Sequence, residues 1–246
     1  MVQVPPPGWH GKLPVLGDFA SRRLDQDFLE AWDGWLAASM SALRERSEST
    51  WLDAYLASPS WRFLLMPGVL GGATGEQAWA GVLMPSVDRV GRYFPFTIAQ
   101  PLGAGTMSAR QMQALWQWLG GLDDLAASAM YSDWSIERLE SELAGMVGPD
   151  LDEQTPPRIA MPGSDAPTWS MFEPGLDPAA WIGMEAQALW SEHAHGIAYW
   201  YACAEQTAPQ LMRSRGLPDP SAVQVLFGGA PEDAATDAPG GQVEVD

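Results

Sequence analysis

Three strand-like runs, residues 61–66, 78–84 and 93–99, follow one another with only Gly-rich or polar turns between them. Parallel neighbours need a crossover of about a dozen residues or more, usually a helix, and nothing between these runs reads as one. The spacing therefore predicts an antiparallel meander. Further runs at 168–172, 186–190 and 197–203 are read as strands that extend this sheet or form a second one. Pro95 cannot donate to a ladder, so the third run is expected at an edge or a bulge.

Four helices are expected around these strands. In the first, Phe28, Leu29, Trp32, Trp35, Leu36, Met40 and Leu43 recur at helical spacing behind Asp25 and Asp27, which suit an N-cap and a first turn. A second starts at Ser108, with Gln111 completing a capping box, carries Met112, Leu115, Trp116 and Leu119, and is expected to stop at Gly120-Gly121. A third follows Asp133 with Ile136, Leu139, Leu143 and Met146 on one stripe. The last is short, with Asp219 as N-cap, Pro220 at its first position, then Val223, Leu226 and Phe227 before Gly228. Together they predict an α+β class, an α/β sandwich in which helices cover one face of a mainly antiparallel meander.

A chain of 246 residues hides about 72 % of its extended surface on folding, enough for a sizeable core without a disulfide or metal staple. One globular domain over residues 1–228 is expected. Residues 229–246 combine Gly, Ala and Pro with Glu232, Asp233, Asp237, Glu244 and Asp246 and no basic residue, the composition of a flexible acidic tail. A formal net charge of −18 argues against nucleic acid and anionic membrane as partners, since both are bound through clustered Lys and Arg. The bases are also unevenly placed: residues 111–212 hold only Arg138 and Arg158 against fifteen acids. The single Cys203, inside an apolar run, reads as a buried hydrophobe in a reducing compartment. With neither a leader-like N-terminus nor an apolar run of spanning length, the expected location is cytoplasmic.

Two segments concentrate chemistry. The first, Pro85-Ser86-Val87-Asp88-Arg89-Val90-Gly91-Arg92-Tyr93-Phe94-Pro95, joins two predicted strands. As a plain hairpin loop, Asp88 would accept backbone N–H groups, Gly91 would supply a permissive φ, and the arginines would pair with local carboxylates. As a recognition edge, Arg89 or Arg92 would offer a planar fork to a partner's carboxylate or phosphate. The second segment is Gly8-Trp9-His10-Gly11-Lys12-Leu13-Pro14 followed by Gly17-Asp18-Phe19, with Trp9 and Phe19 as expected core anchors. Arg22-Arg23 follows near a helix start, where the dipole favours acids; a partner or an acidic neighbour would explain the pair, and a solvated pair is the plainer reading.

Signals for catalysis are meagre. No Gly-x-Ser-x-Gly elbow occurs, and a grouping of Ser86, His10 and Asp18 has no motif context. His193-Ala194-His195 would put two imidazoles on one face of a strand, but a third ligand from Glu192 or Glu205 has no recognisable metal spacing, so surface histidines are expected. Gly71-Gly72-Ala73-Thr74-Gly75 lacks the Lys and the helix of a phosphate-binding loop and reads as a hairpin turn. Neither a metal nor a cofactor is expected. Most of the thirteen Trp fall on apolar stripes as core, while Trp51 and Trp190 are candidate partner anchors.

At these dense segments the chain resembles the TagF family of type VI secretion-associated proteins. The resemblance rests on Gly8-Trp9-His10-Gly11-Lys12-Leu13-Pro14 with Gly17-Asp18-Phe19, on Arg22-Arg23-Leu24, and on the Phe28, Trp32-Asp33 and Trp35 helix. It continues through Tyr55-Leu56, Pro59, Trp61-Arg62-Phe63, Gly81-Val82 and the segment Pro85 to Pro95, then returns at Leu189-Trp190 and Gly216-Leu217-Pro218. Where family members often carry adjacent tryptophans, Ser191 follows Trp190 here. The resemblance implies a longin-like α/β fold and a cytoplasmic post-translational repressor of type VI secretion, the contractile injection system of Gram-negative bacteria. It also implies association with the forkhead-associated-domain scaffold protein of that apparatus. The expected mode is inhibition by binding rather than catalysis, with Asp18, Arg22, Arg23, Ser86, Asp88, Arg89 and Arg92 as the partner-binding set. A structural component of the apparatus and a phosphoprotein-directed hydrolase are the rival classes.

Overall fold

The computed structural model describes residues 5–46, 49–102, 107–149, 178–203, 209–220 and 224–227. Chain order is β1 (Gly8–Gly11), β2 (Ala20–Arg22), α1 (Gln26–Arg46), α2 (Trp51–Leu56), β3 (Trp61–Leu65), β4 (Trp79–Met84), β5 (Phe96–Pro101), α3 (Ala109–Tyr131), α4 (Ile136–Gly145), α5 (Pro178–Ala194), β6 (Ile197–Ala202), β7 (Gln210–Arg215) and α6 (Gln224–Phe227). The strands form one seven-stranded sheet in the order β2-β1-β5-β4-β3-β6-β7, and every neighbouring pair is antiparallel. The meander read from the sequence is its centre, β3-β4-β5.

Period-two alternation sorts the side chains onto two faces. Trp61, Phe63 and Leu65 of β3, Leu83 of β4, Ala99 of β5 and Trp200 of β6 pack with Phe28, Trp32, Trp35, Leu36, Met40 and Leu43 of α1. Leu64, Ala80, Val82, Met84, Phe96 and Ile98 point the other way, onto Leu115, Leu119, Leu122 and Ala126 of α3 and Leu139 and Leu143 of α4. Helices therefore cover both faces, not one as expected; α3 and α4 take the second face.

The α1 face is an aromatic stack. Trp32 lies 4.9 Å from Phe63 and 5.0 Å from Trp35, Phe28 lies 4.2 Å from Trp79, and Phe63 lies 5.5 Å from Trp200, all between ring centroids. A buried indole calls for a partner for its N–H, and four on this face have one: Trp32 donates to Thr97 Oγ1 at 2.9 Å, Trp35 to the Pro218 carbonyl at 2.7 Å, Trp61 to the Leu226 carbonyl at 2.9 Å and Trp79 to the Thr74 carbonyl at 3.3 Å. A Cβ on Gly81 would sit 2.7 Å from the Phe63 ring and 2.1 Å from the Ile98 carbonyl, so only glycine lets that ring lie across β4.

Several expectations change. The capping box at Ser108 and Gln111 is formed, but α3 runs through Gly120-Gly121 to Tyr131 because Leu122, Ala126 and Ala129 continue its buried stripe. Residues 186–190 lie within α5, not a strand. Pro95 stands one residue before β5, which is paired on both sides and is no edge. Cys203 follows the last residue of β6 and is exposed. Phe19, expected as a core anchor, is 46 % exposed, while Trp9 is fully buried. The run 168–172, Glu205, Val223 and the tail 229–246 lie outside the described residues.

Candidate functional site

The β4–β5 connection folds back on itself through Val87 and Tyr93, which form a single antiparallel bridge. Its shape is set by one carboxylate. Asp88 Oδ1 accepts the backbone N–H groups of Val90 at 3.0 Å and Arg92 at 2.9 Å, while Oδ2 accepts from Lys12 Nζ at 2.6 Å and Arg92 Nε at 2.7 Å. Gly91, at φ +81°, completes the turn. The Lys12 side chain is 4 % exposed and that of Asp88 0 %, so the pair is inside the protein. Burial pushes the Asp88 pKa up, but the Lys12 ammonium, the Arg92 N–H, the Arg92 guanidinium and the Val90 N–H together outweigh it and hold the carboxyl well below its ordinary range.

Behind this turn sits a second anchor. The Tyr55 hydroxyl accepts from the Ser86 N–H at 2.8 Å and donates to the Ser86 carbonyl at 3.0 Å, closing a ring around one residue. Burial pushes the Tyr55 phenol above its ordinary range, which keeps it a neutral donor. Ser86 Oγ donates to the Lys12 carbonyl at 2.7 Å. The loop is also sewn to the β1–β2 connection, where Arg89 N–H donates to the Leu16 carbonyl at 2.9 Å and Arg92 Nη2 to the Gly17 carbonyl.

The expected site residues thus divide. Ser86 and Asp88 are buried and act on the loop's shape. Asp18, Arg89 and Arg92 face solvent together beside Phe19 and Val90, the latter 63 % exposed. Arg92 is committed through Nε to Asp88, with Asp18 Oδ1 3.8 Å from its Nη2. The Arg89 guanidinium has no carboxylate within 4 Å among the described residues, and Arg22 donates to the carbonyl of Ser21 at 2.8 Å while its charge also favours the ionised Glu140. Arg23 is different. At φ +56° it turns its guanidinium onto Glu140 of α4 and the Pro7 carbonyl, and Trp9 Nε1 donates to the same carboxylate at 2.5 Å. It is therefore paired rather than solvated, with the acidic neighbour that its placement called for. Desolvation opposes the Glu140 charge, but Arg23 and Trp9 outweigh it and lower the pKa.

Ser86, His10 and Asp18 do not come together as a relay. His10 Nε2 pairs with Asp33 of α1 at 3.0 Å and its ring stacks on Phe19, while the Ser86 hydroxyl proton is spent on a carbonyl. His193 lies in the last turn of α5, exposed, its Nδ1 2.9 Å from the Leu189 carbonyl. His195 is exposed as well, and no cluster of metal-ligating side chains occurs among the described residues. Trp51 packs partly buried against Tyr55 and Tyr93 with Arg44 over its ring, and Trp190 stacks on Tyr199. No described helix is long and apolar enough to cross a membrane.

Lys12, Tyr55 and Glu140 were not singled out by the sequence as parts of this arrangement. A lysine among glycines, prolines and apolar residues is a faint signal of a buried cation; the other two act through contacts 31 and 131 residues away in the chain.

Comparison with known proteins agrees with this geometry. The family model described as TagF N-terminal domain, Type VI secretion system-associated, matches residues 8–146, a stretch that holds β1, the Asp88 turn and the Glu140 cluster. No curated protein matches. Among solved structures, the chain is similar to the crystal structure of PA0076 from Pseudomonas aeruginosa PAO1, at 34% sequence identity and TM-score 0.68, over 92% of this chain and 96% of that one. With more than half its length matched, this chain belongs to the TagF N-terminal domain family of type VI secretion system-associated proteins.

Proposed function

We propose that this chain is a cytoplasmic, post-translational repressor of type VI secretion that works by binding an apparatus protein, the forkhead-associated-domain scaffold being the partner that its family suggests. The observation that carries the reading is the corner formed by the Asp88 turn and the β1–β2 connection. It presents the guanidinium of Arg89, which has no carboxylate within 4 Å among the described residues, beside exposed Phe19 and Val90, on a loop immobilised by a buried ion pair. A rigid patch mixing guanidinium and aromatic groups spends little ordering entropy on docking and has the composition of an interface hot spot. Arg22, exposed at the end of β2 and opposite Trp9, would be a second point of contact. To repress, the chain must prefer an inactive state of its partner, because equal affinity for two states shifts neither.

The test is secretion from cells that lack the native gene and carry variants of this chain. Arg22→Glu with Arg89→Glu removes one exposed hydrogen bond, from Arg22 to the Ser21 carbonyl, and no buried contact, and is expected to leave a folded protein that neither represses secretion nor co-purifies with the scaffold. Full repression by that folded variant would reject the assigned surface. Loss of secretion on deletion, in place of a rise, would mark the chain as a structural component.

A further inference from the structure

The opposite edge of the sheet carries a second feature. Between α3, α5 and the strands β3, β6 and β7 lies an open groove of about 1260 Å³, lined mainly by apolar side chains. Met112 and Trp116 of α3 form one wall and Trp190 of α5 the other; Tyr199 and Tyr201 of β6 lie in the floor, and Leu211 of β7, 71 % exposed, is the rim. The aromatic groups brace one another, with Trp116 edge-on to Tyr201 at 5.9 Å and Trp190 stacked on Tyr199 at 6.5 Å. The volume exceeds the roughly 300–1,000 Å³ of ordinary small-molecule sites.

The charge around this groove opposes that of the whole protein. Arg62 is its one charged lining residue among the described residues; Nε donates to Asp123 at 2.9 Å, and the guanidinium lies 5.8 Å from the Tyr201 ring. On β7, Leu211, Arg213 and Arg215 are exposed and stand opposite Tyr201, Tyr199 and Ile197, hence on the groove's face of the sheet. Neither Arg213 nor Arg215 has a carboxylate within 4 Å among the described residues. In a chain of thirteen bases and thirty-one acids, two such arginines beside an apolar groove are a local positive rim. They lie two residues apart, roughly 7 Å along the strand, which is close to the roughly 5.4 Å pitch of a helix.

We propose that this groove docks an amphipathic helix of a partner protein, whose apolar stripe enters between α3 and α5 and whose acidic flank meets Arg62, Arg213 and Arg215. A helix laid in an apolar groove is held by anchors spaced three and four residues apart, and an acidic residue on each turn matches arginines spread along a strand better than a single headgroup does. The described residues that line the groove include none of the Asp88 corner, so this surface is distinct from that corner and its occupancy does not depend on the corner's role. The protein would then hold two partner segments at once.

The experiment uses the full chain and a panel of fluorescein-labelled helical peptides about five turns long, each with a Leu, Phe or Trp stripe and Glu on one flank. Scrambled peptides of the same composition serve as controls, and binding is read by anisotropy at low salt and at roughly 0.3 M salt. A stripe peptide is expected to bind with micromolar affinity, roughly tenfold or more weaker in Arg213→Glu with Arg215→Glu and in Leu211→Asp. Leu211 and both arginines are exposed, so circular dichroism should report an unchanged fold. Added salt should weaken the wild type more than the charge-reversed variant. Any of four results would overturn the proposal: no saturable binding by any stripe peptide, equal binding by scrambled peptides, affinity unchanged in both variants, or binding only of dodecanoate. Sedimentation showing a dimer that Leu211→Asp dissociates would give the groove to a second copy of this chain and overturn it too.

Discussion

The two faces of the sheet are filled in opposite ways. Toward α1, Phe28, Trp32, Trp35, Phe63, Trp79 and Trp200 interlock at centroid distances of 4.2–6.2 Å, with every one of them 8 % exposed or less. Toward α3, Leu64, Val82, Ile98, Leu115, Leu119 and Leu122 close the middle of the sheet, but the layer opens beyond β3 into the groove. The difference teaches where this chain puts stability and where it keeps surface. Large flat rings seal the side that carries α1, whereas small residues on α3 and α5, Gly120, Gly183 and Ala186 among them, leave the other side open.

The sharpest way to break this contrast is to truncate a ring on the sealed face. Trp32→Ala removes a fully buried indole with four aromatic neighbours and orphans Thr97, and is expected to cost about 3–5 kcal/mol in denaturant unfolding. Met112→Ala, on the groove wall, is expected to cost about 1 kcal/mol or less. Equal losses would mean that the groove is packed as tightly as the α1 side.

The same contrast holds among the charges, where Asp88 is sealed and Arg213 and Arg215 are open. Lys12→Met strands a buried carboxylate and is expected to be the most destabilising charge change in the chain, while Lys12→Met with Asp88→Leu recovers part of the loss. Acid should act through the same group. Asp88 has a lower pKa in the folded state than when unfolded, so its stabilising effect is complete above the ordinary carboxylate value of about 3.9 and disappears as pH falls below it toward the folded value. Urea midpoints measured downward from pH 6 should therefore fall more steeply in the wild type than in Asp88→Asn. Parallel curves would show that the carboxylate is not the protected one.

What the sequence discloses follows the range of the interactions. Local chemistry was readable: the Ser108–Gln111 capping box, the Asp88 turn with its two N–H bonds, and the Gly91 φ all depend on residues within four positions. Paired strands at 61–99 were readable because their turns are short. Residues 186–190 were not, since a short apolar run has the same composition in a strand and in a buried helix. The end of α3 was not, because burial of Leu122 and Ala126 outweighs two glycines. At the site, the sequence pointed to the arginines but not to Lys12 or Glu140, whose contacts with Asp88 and Arg23 span 76 and 117 residues.

That α3 glycine pair offers a finer probe of the open face. A Cβ on Gly121 would meet only the mobile end of Met146, at 3.3 Å, so Gly121→Ala should stabilise by about 0.5–1 kcal/mol through helix propensity. At Gly120 the Cβ would press on the Arg62 guanidinium at 3.3 Å, beside the groove. Gly120→Ala should gain less, and it should weaken any helix that docks against Arg62. An equal gain at both positions would show that Arg62 is free to move aside.

The smallest effect on stability is expected where the largest effect on function is proposed. Arg22→Glu with Arg89→Glu alters two exposed guanidinium groups without a carboxylate partner among the described residues, so thermal unfolding should change by no more than about 0.5 kcal/mol. Arg92→Glu is the contrasting case, because its Nε is bound to the buried Asp88 and a new carboxylate there would face it. If Arg22→Glu with Arg89→Glu is as unstable as Arg92→Glu, the exposed arginines belong to the turn's scaffold, and the division of this corner into a sealed base and a free surface fails. If the pair is silent in unfolding and repression is lost, the free surface is where the partner binds.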